Sequence, residues 1–191
     1  ESKEEVIKWT ETKKLIYFFG ISAGMTYLHS HNIIHRDLKP KNIFLDDSLH
    51  PKISGFNISK YIGNESFSKS NKLKGTPAYL APEVYSKHEY SKWSDVYSFG
   101  LIMYEIILEE KPFSKFFSPK EVKEIICDKQ ERPKFLKPIN DSYRRLIEQC
   151  WSQNPEDRPS FEYIANELKM NTEFITDQID KEEYFNYIKS I

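Results

Sequence analysis

Apolar positions fall into two rhythms along this chain. Leu15, Phe18, Phe19, Met25 and Leu28 recur at helical spacing, and Asn32, a residue that tolerates left-handed backbone, follows as a stop; together they predict a helix over 12–31. Gly20 and Gly24 interrupt it. Each costs about 1 kcal/mol relative to Ala in a helix interior, which predicts that another backbone packs closely there. Asn42-Ile43-Phe44-Leu45 and Pro51-Lys52-Ile53-Ser54 read as two short strands around the turn Asp46-Asp47-Ser48, a small hairpin. Residues 59–78 are rich in Ser, Lys, Asn and Gly and show no period, so they read as a long functional loop.

Further along, 94–108 is apolar nearly all round, the mark of a helix buried at the centre of a domain. Ser118-Pro119-Lys120-Glu121 combines a Ser cap, a Pro in the first turn and the Glu of a capping box, predicting a helix to Cys127. Two more helices are expected over 141–151 and 160–169, separated by Asn154-Pro155 and Arg158-Pro159. In the tail, Tyr184, Ile188 and Ile191 lie at helical spacing among acidic residues. An amphipathic helix packing back onto the domain is preferred there to one that binds a partner.

Composition narrows the function classes. With 28 Lys+Arg against 29 Asp+Glu, the 191-residue chain has a formal net charge of −1, which argues against bulk binding to nucleic acid or an anionic membrane. Its hydrophobic fraction of 39% is enough for a real core. The most apolar stretch, 101–108, contains Glu105 and is far shorter than the roughly 18 residues of a membrane span. Cys127 and Cys150 stand alone, without Cys-x-x-Cys or companion His spacing, so neither a disulfide framework nor a zinc site is expected. A cytoplasmic location follows as the default. Glu1-Ser2-Lys3-Glu4-Glu5 shows neither a Met nor the pattern of a signal peptide.

Chemistry concentrates between the first helix and the hairpin, at His35-Arg36-Asp37-Leu38-Lys39-Pro40-Lys41-Asn42. A loop Asp can orient a substrate hydroxyl and accept its proton, a Lys two residues on can stabilise phosphoryl charge, and an Asn five residues on can ligate magnesium. This octapeptide resembles the catalytic loop of the protein kinases. Gly75-Thr76-Pro77-Ala78-Tyr79-Leu80-Ala81-Pro82-Glu83 is similar to that family's substrate-docking segment. Ser94-Asp95-Val96-Tyr97-Ser98-Phe99-Gly100 is similar to the start of its central helix, and Cys150-Trp151 with Arg158-Pro159 to its late-helix signature. Lys39 points to the serine/threonine side, and Asp95-Val96-Tyr97-Ser98-Phe99-Gly100 to the tyrosine-kinase-like group.

The resemblance implies a mainly α fold: a protein-kinase-like C-terminal lobe over 1–170 with a small β-hairpin near the catalytic loop, then an acidic amphipathic tail over 171–191. It implies Asp37, Lys39 and Asn42 as catalytic residues, Lys39, Asn42 and Phe44 as cofactor-binding residues with Phe44 under the adenine, and Asn42 as metal ligand. It also implies that Glu83 pairs with Arg158, that Asp95 accepts hydrogen bonds from the catalytic-loop backbone, and that His35 stacks on Phe56. Arg36 implies control by phosphorylation of the loop, with Ser66, Ser68, Ser70 and Thr76 the hydroxyls in reach. ATP and Mg2+ are the implied cofactors, and a protein substrate or signalling partner the implied company.

Two departures qualify this. Where the family carries Asp-Phe-Gly, this chain carries Gly55-Phe56-Asn57, so the metal-holding carboxylate is replaced by Gly55. Restoring that carboxylate is expected to restore magnesium. Nothing before Thr12 resembles the family's glycine-rich loop or strand lysine, so the chain is expected to be a C-terminal lobe alone, either a fragment of a longer protein or a truncated product. Phosphoryl transfer from ATP to protein hydroxyls, impaired by these losses, is the implied function. The alternative is an inactive pseudokinase acting as a scaffold or allosteric module.

Overall fold

The computed structural model describes residues 9–115 and 118–191. The reading of the leading Glu1–Glu5 stretch lies outside the described residues. Helix α1 spans Glu11–Ser30, opened by Thr10, whose side chain accepts from Lys13 N, and Asn32 just beyond it takes left-handed backbone at φ 55°. Strand β1 (Ile33–Ile34) follows, then the hairpin of β2 (Ile43–Leu45) and β3 (Pro51–Ile53), with Phe44 opposite Lys52.

The segment read as an aperiodic loop holds two further strands. β4 (Lys60–Tyr61) pairs antiparallel with β1, and β5 (Phe67–Lys69) pairs with β6 (Glu89–Ser91). At two or three residues each, paired with partners remote in sequence, these strands are too short to show a period of two. Helix α2 (Pro82–Lys87) has no side-chain cap, ends on left-handed His88 and is only six residues long, so the pattern does not announce it.

The core is organised on α3, Lys92–Leu108. Its start lies two residues before the predicted one because Ser91 and Ser94 cap each other reciprocally, each side chain bonding the other's backbone N–H. Phe99 of α3 meets Phe18 of α1 edge-on at 6.4 Å and Phe161 at 5.4 Å, so three helices share one aromatic centre. The predicted capping box at Ser118 opens α4 (Pro119–Lys123), which continues as a π-helical turn over Glu124–Asp128. Helices α5 (Asp141–Cys150) and α6 (Phe161–Met170) complete this layer, with α6 lying along α1.

The tail forms helix α7, Lys181–Lys189, which packs back on α1. Tyr184 is fully buried and donates to Leu168 O at 2.9 Å, and Lys13 pairs with Glu183 at 2.5 Å. This contact corrects the expectation for the α1 glycines. Side chains, not another backbone, approach them: a Cβ at Gly20 would overlap Tyr187 Oη and come 2.5 Å from Pro51 Cγ, and one at Gly24 would come 2.8 Å from Ile53 Cδ1. Among the described residues no helix is long and apolar enough to cross a membrane.

Candidate active site

The loop between β1 and β2 hangs from the first turn of α3. Buried Asp95 accepts from His35 N at 2.8 Å through Oδ2 and from Arg36 N at 2.9 Å through Oδ1, and His29 Nε2 lies 3.0 Å from Oδ2. One carboxylate thus fixes two consecutive peptide planes. Arg36 takes positive φ, 72°, which turns the chain sharply so that Leu38 goes into the core while Asp37 stands half-buried. Such backbone is uncommon outside glycine and persists only where surrounding contacts over-determine it. His35 Nε2 lies 2.7 Å from Ser54 O, and its ring sits 5.2 Å from that of Phe56, the juxtaposition the family pattern implied.

Asp37, Lys39 and Asn42 converge, joined by Thr76 from the far side of the docking segment. Thr76 Oγ1 donates to Asp37 Oδ1 at 2.7 Å; Lys39 Nζ reaches Asp37 Oδ2 at 2.9 Å and donates to Thr76 Oγ1 at 2.5 Å; Asn42 Nδ2 donates to Asp37 Oδ2 at 3.0 Å and to Asp37 O at 2.7 Å. Partial burial pushes the Asp37 carboxyl up, but the hydrogen bonds from Thr76, Lys39 and Asn42 and the Lys39 charge outweigh it, so its pKa lies below the usual aspartate value. The carboxylate is held ionised and oriented. Sequence reasoning counted Thr76 only as a phosphorylatable hydroxyl. Its place in the Gly75-Thr76-Pro77 motif was the available signal for its role here.

Phe44 stands on β2, well exposed, on the same hairpin that carries Asn42. Gly55 follows β3 in left-handed backbone, φ 78° and ψ 33°, while Asn57 is exposed on the turn beyond it. The residues fit a magnesium ion only in part: Gly55 offers no side-chain oxygen, whereas Asn42 turns its amide nitrogen to Asp37 and so leaves Oδ1 as the atom that would ligate the ion. Among the described residues no cluster of three or more His, Cys, Asp or Glu side chains could hold a metal.

Behind the site, the docking segment is tied down. Tyr79 donates to Glu105 on α3, Ser98 donates to Tyr79 O at 2.8 Å, and Tyr85 donates to Pro77 O at 2.8 Å. Desolvation raises the pKa of half-buried Glu105 against the lowering effect of the Tyr79 bond. Arg36 is buried with its guanidinium 4.3 Å from the Tyr90 ring centre, yet its Nε and Nη2 have no hydrogen-bond partner among the described residues.

Comparison with known proteins agrees with this geometry. A family model described as protein tyrosine and serine/threonine kinase matches residues 3–168. The chain is 40% identical over 150 residues to the dual specificity protein kinase shkC of Dictyostelium discoideum, covering 77% of this chain and 30% of that protein. It is 39% identical over 167 residues to shkA of the same organism, covering 85% and 31%. Against shkD it is 37% identical over 169 residues, covering 88% and 22%. The chain therefore spans less than a third of the length of these relatives. With the family matched over most of its residues, and with its catalytic-loop and docking motifs brought together as described, this mainly α chain belongs to the protein tyrosine and serine/threonine kinase family.

Proposed function

We propose that this chain is the substrate-docking and hydroxyl-orienting lobe of a serine/threonine kinase-like signalling protein of the cytoplasm. The supporting observation is the Asp37 network, in which Thr76, Lys39 and Asn42 fix an ionised carboxylate at the mouth of the docking segment. In this reading a protein hydroxyl is oriented by Asp37, which takes its proton as the hydroxyl oxygen attacks the terminal phosphorus of ATP and the bond from that phosphorus to the departing ADP breaks. In the same reading Lys39, which pairs with Asp37 at 2.9 Å, neutralises charge on the phosphoryl group, and exposed Phe44 serves as an apolar platform for the adenine. The family uses ATP with Mg2+. Relatives named as dual specificity kinases make tyrosine hydroxyls a further substrate class to assay.

The second reading, a pseudokinase acting as scaffold, is favoured by one observation, Gly55 in place of the carboxylate. The two separate in one experiment. The full-length protein and its Asp37→Asn variant are assayed for transfer of labelled phosphate to Ser, Thr and Tyr peptides. Transfer abolished by Asp37→Asn supports the first reading; no transfer from either protein, with folding and partner binding intact, supports the second.

A further inference from the structure

We propose that the docking segment selects acidic peptides, with Lys41, Lys72 and Lys74 meeting carboxylates that flank the oriented hydroxyl; this substrate class rests on the reading of Asp37 given above. Charge is spread unevenly along the chain. The whole carries a net −1, yet residues 59–92 hold six lysines against three glutamates. Two of those glutamates are already engaged, Glu83 with Arg158 at 2.7 Å and Glu89 with Lys69 at 3.2 Å. Lys41, Lys72 and Lys74 are exposed and make no ion pair among the described residues. Lys39, the remaining cation of the site, is taken up by Asp37. The excess positive charge is therefore free to meet a ligand.

Backbone geometry brings these three lysines to the site. Buried Tyr90 clamps Lys74, its hydroxyl accepting from Lys74 N at 2.6 Å and donating to Lys74 O at 3.0 Å. One residue on, Gly75 takes positive φ, 98°, and passes the catalytic loop so closely that a Cβ there would lie 2.7 Å from Arg36 O. Thr76 then bonds Asp37 Oδ1. Lys41 sits in the short helical turn Pro40–Asn42, and its neighbour Asn42 bonds Asp37 Oδ2. The lysines thus issue from the two segments that hold the two oxygens of one carboxylate. Acidic residues beside a hydroxyl placed there meet opposite charge, whereas basic ones are repelled. Exposed pairs each contribute little, so the selection is a sum of weak, salt-sensitive contacts.

The test uses phosphatase-treated full-length protein and reads binding separately from transfer. Three labelled peptides, each with one central serine and otherwise identical flanks of Glu, Gln or Lys, are titrated by fluorescence anisotropy and then offered as substrates. The Glu peptide should bind about tenfold tighter than the Gln peptide, the size of ratio that a few exposed ion pairs give, and the Lys peptide should bind weakest. Lys41→Gln alone, and Lys72→Gln combined with Lys74→Gln, should each reduce that ratio, and the triple variant should abolish it. All three side chains stand in solvent, so circular dichroism should show the fold unchanged. Lys169→Gln, at an exposed lysine of α6, should leave the ratio intact. Raising the salt from about 0.1 M to about 1 M, which shortens the screening length from about 10 Å to about 3 Å, should collapse it. Equal binding of the Glu and Gln peptides to wild type, or a preference that survives in the triple variant, would overturn the proposal. Charge-selective binding without transfer to any peptide would count against the hydroxyl-orienting reading of Asp37 and leave the acidic-peptide surface in place.

Discussion

Arg158 grips Glu83 with both arms of its guanidinium, Nη1 to Oε1 at 2.7 Å and Nη2 to Oε2 at 2.9 Å, across 75 positions of sequence. The same guanidinium donates to Trp93 O and Ser152 O and stacks 5.1 Å from the centre of the Tyr97 ring. The Arg158 side chain is fully out of solvent and that of Glu83 is only 11% exposed. A planar fork on a carboxylate is the strong form of the ion pair, and here it ties α2, at the end of the docking segment, to the turn before α6.

Arg158→Ala should cost about 3 to 5 kcal/mol, because it leaves a largely buried carboxylate and the backbone carbonyls of Trp93, Ser152 and Gln153 without their donor. Urea unfolding followed by circular dichroism measures this. Arg158→Met, which keeps some of the packing over Tyr97, should lose less. A silent Arg158→Ala would mean that the pair contributes nothing net to stability.

A second prediction concerns the seam between α1 and α7. Gly20→Ala gains helix propensity of about 1 kcal/mol but forces a methyl against Tyr187 Oη and Pro51 Cγ, and overpacking of this kind costs about 1 to 3 kcal/mol. The variant should therefore be less stable than wild type. Tyr187→Phe removes the nearest colliding atom and should recover part of the loss in the double variant. If Gly20→Ala stabilises the protein instead, α7 does not sit on α1 as described.

How far the pattern of residues carried the reading depended on the range of the interaction involved. Local signals held: Asn32 stops α1 in left-handed backbone, and the Ser118 box sets α4 where Pro119 and Glu121 place it. Motif-borne contacts such as Asp95 with the loop backbone and Glu83 with Arg158 were legible through family resemblance, since spacing alone cannot bring together residues 60 or 75 apart. What escaped was geometry settled only by packing. The short strands β4 and β5 exist because β1 and β6 lie beside them. Gly20 answers a tyrosine 167 positions later, and a Cβ at Gly55 would meet the Asn42 amide.

Arg36 supplies a third prediction. Its buried Nε and Nη2 have no partner among the described residues, and the face of Tyr90 lies 4.3 Å from the guanidinium. An unsatisfied buried donor costs about 1 to 3 kcal/mol, so Arg36→Met should leave thermal stability unchanged or raised in unmodified protein. A phosphate on the 59–78 segment would supply the missing acceptors bidentately. Phosphorylated protein should then melt higher than unmodified protein, and the increment should vanish in Arg36→Met. A melting point that drops sharply in unmodified Arg36→Met would show that the arginine is already satisfied.

The last prediction sets burial against hydrogen bonding at Asp37. Desolvation acts to raise the carboxyl pKa, while Thr76, Lys39 and Asn42 lower it, and the net direction is down. Because the folded value lies below the unfolded one, near about 3.9, the folded state takes up this proton less readily than the unfolded chain. The stability Asp37 contributes is thus complete above the unfolded value and is lost as pH falls through the lowered folded one. Asp46 and Glu173 are lowered likewise but lie on the surface, where solvent screens them, so they contribute less to the acid limb. Thr76→Val removes the hydroxyl that donates to Asp37 Oδ1 and should raise the Asp37 pKa measured by side-chain NMR titration. Lys39→Met removes a hydrogen bond and a charge together and should raise it further. Both variants should begin acid unfolding at higher pH than wild type. If wild-type Asp37 instead titrates at or above the ordinary aspartate value, desolvation outweighs the network, and the carboxylate is less firmly held than a hydroxyl-orienting role requires.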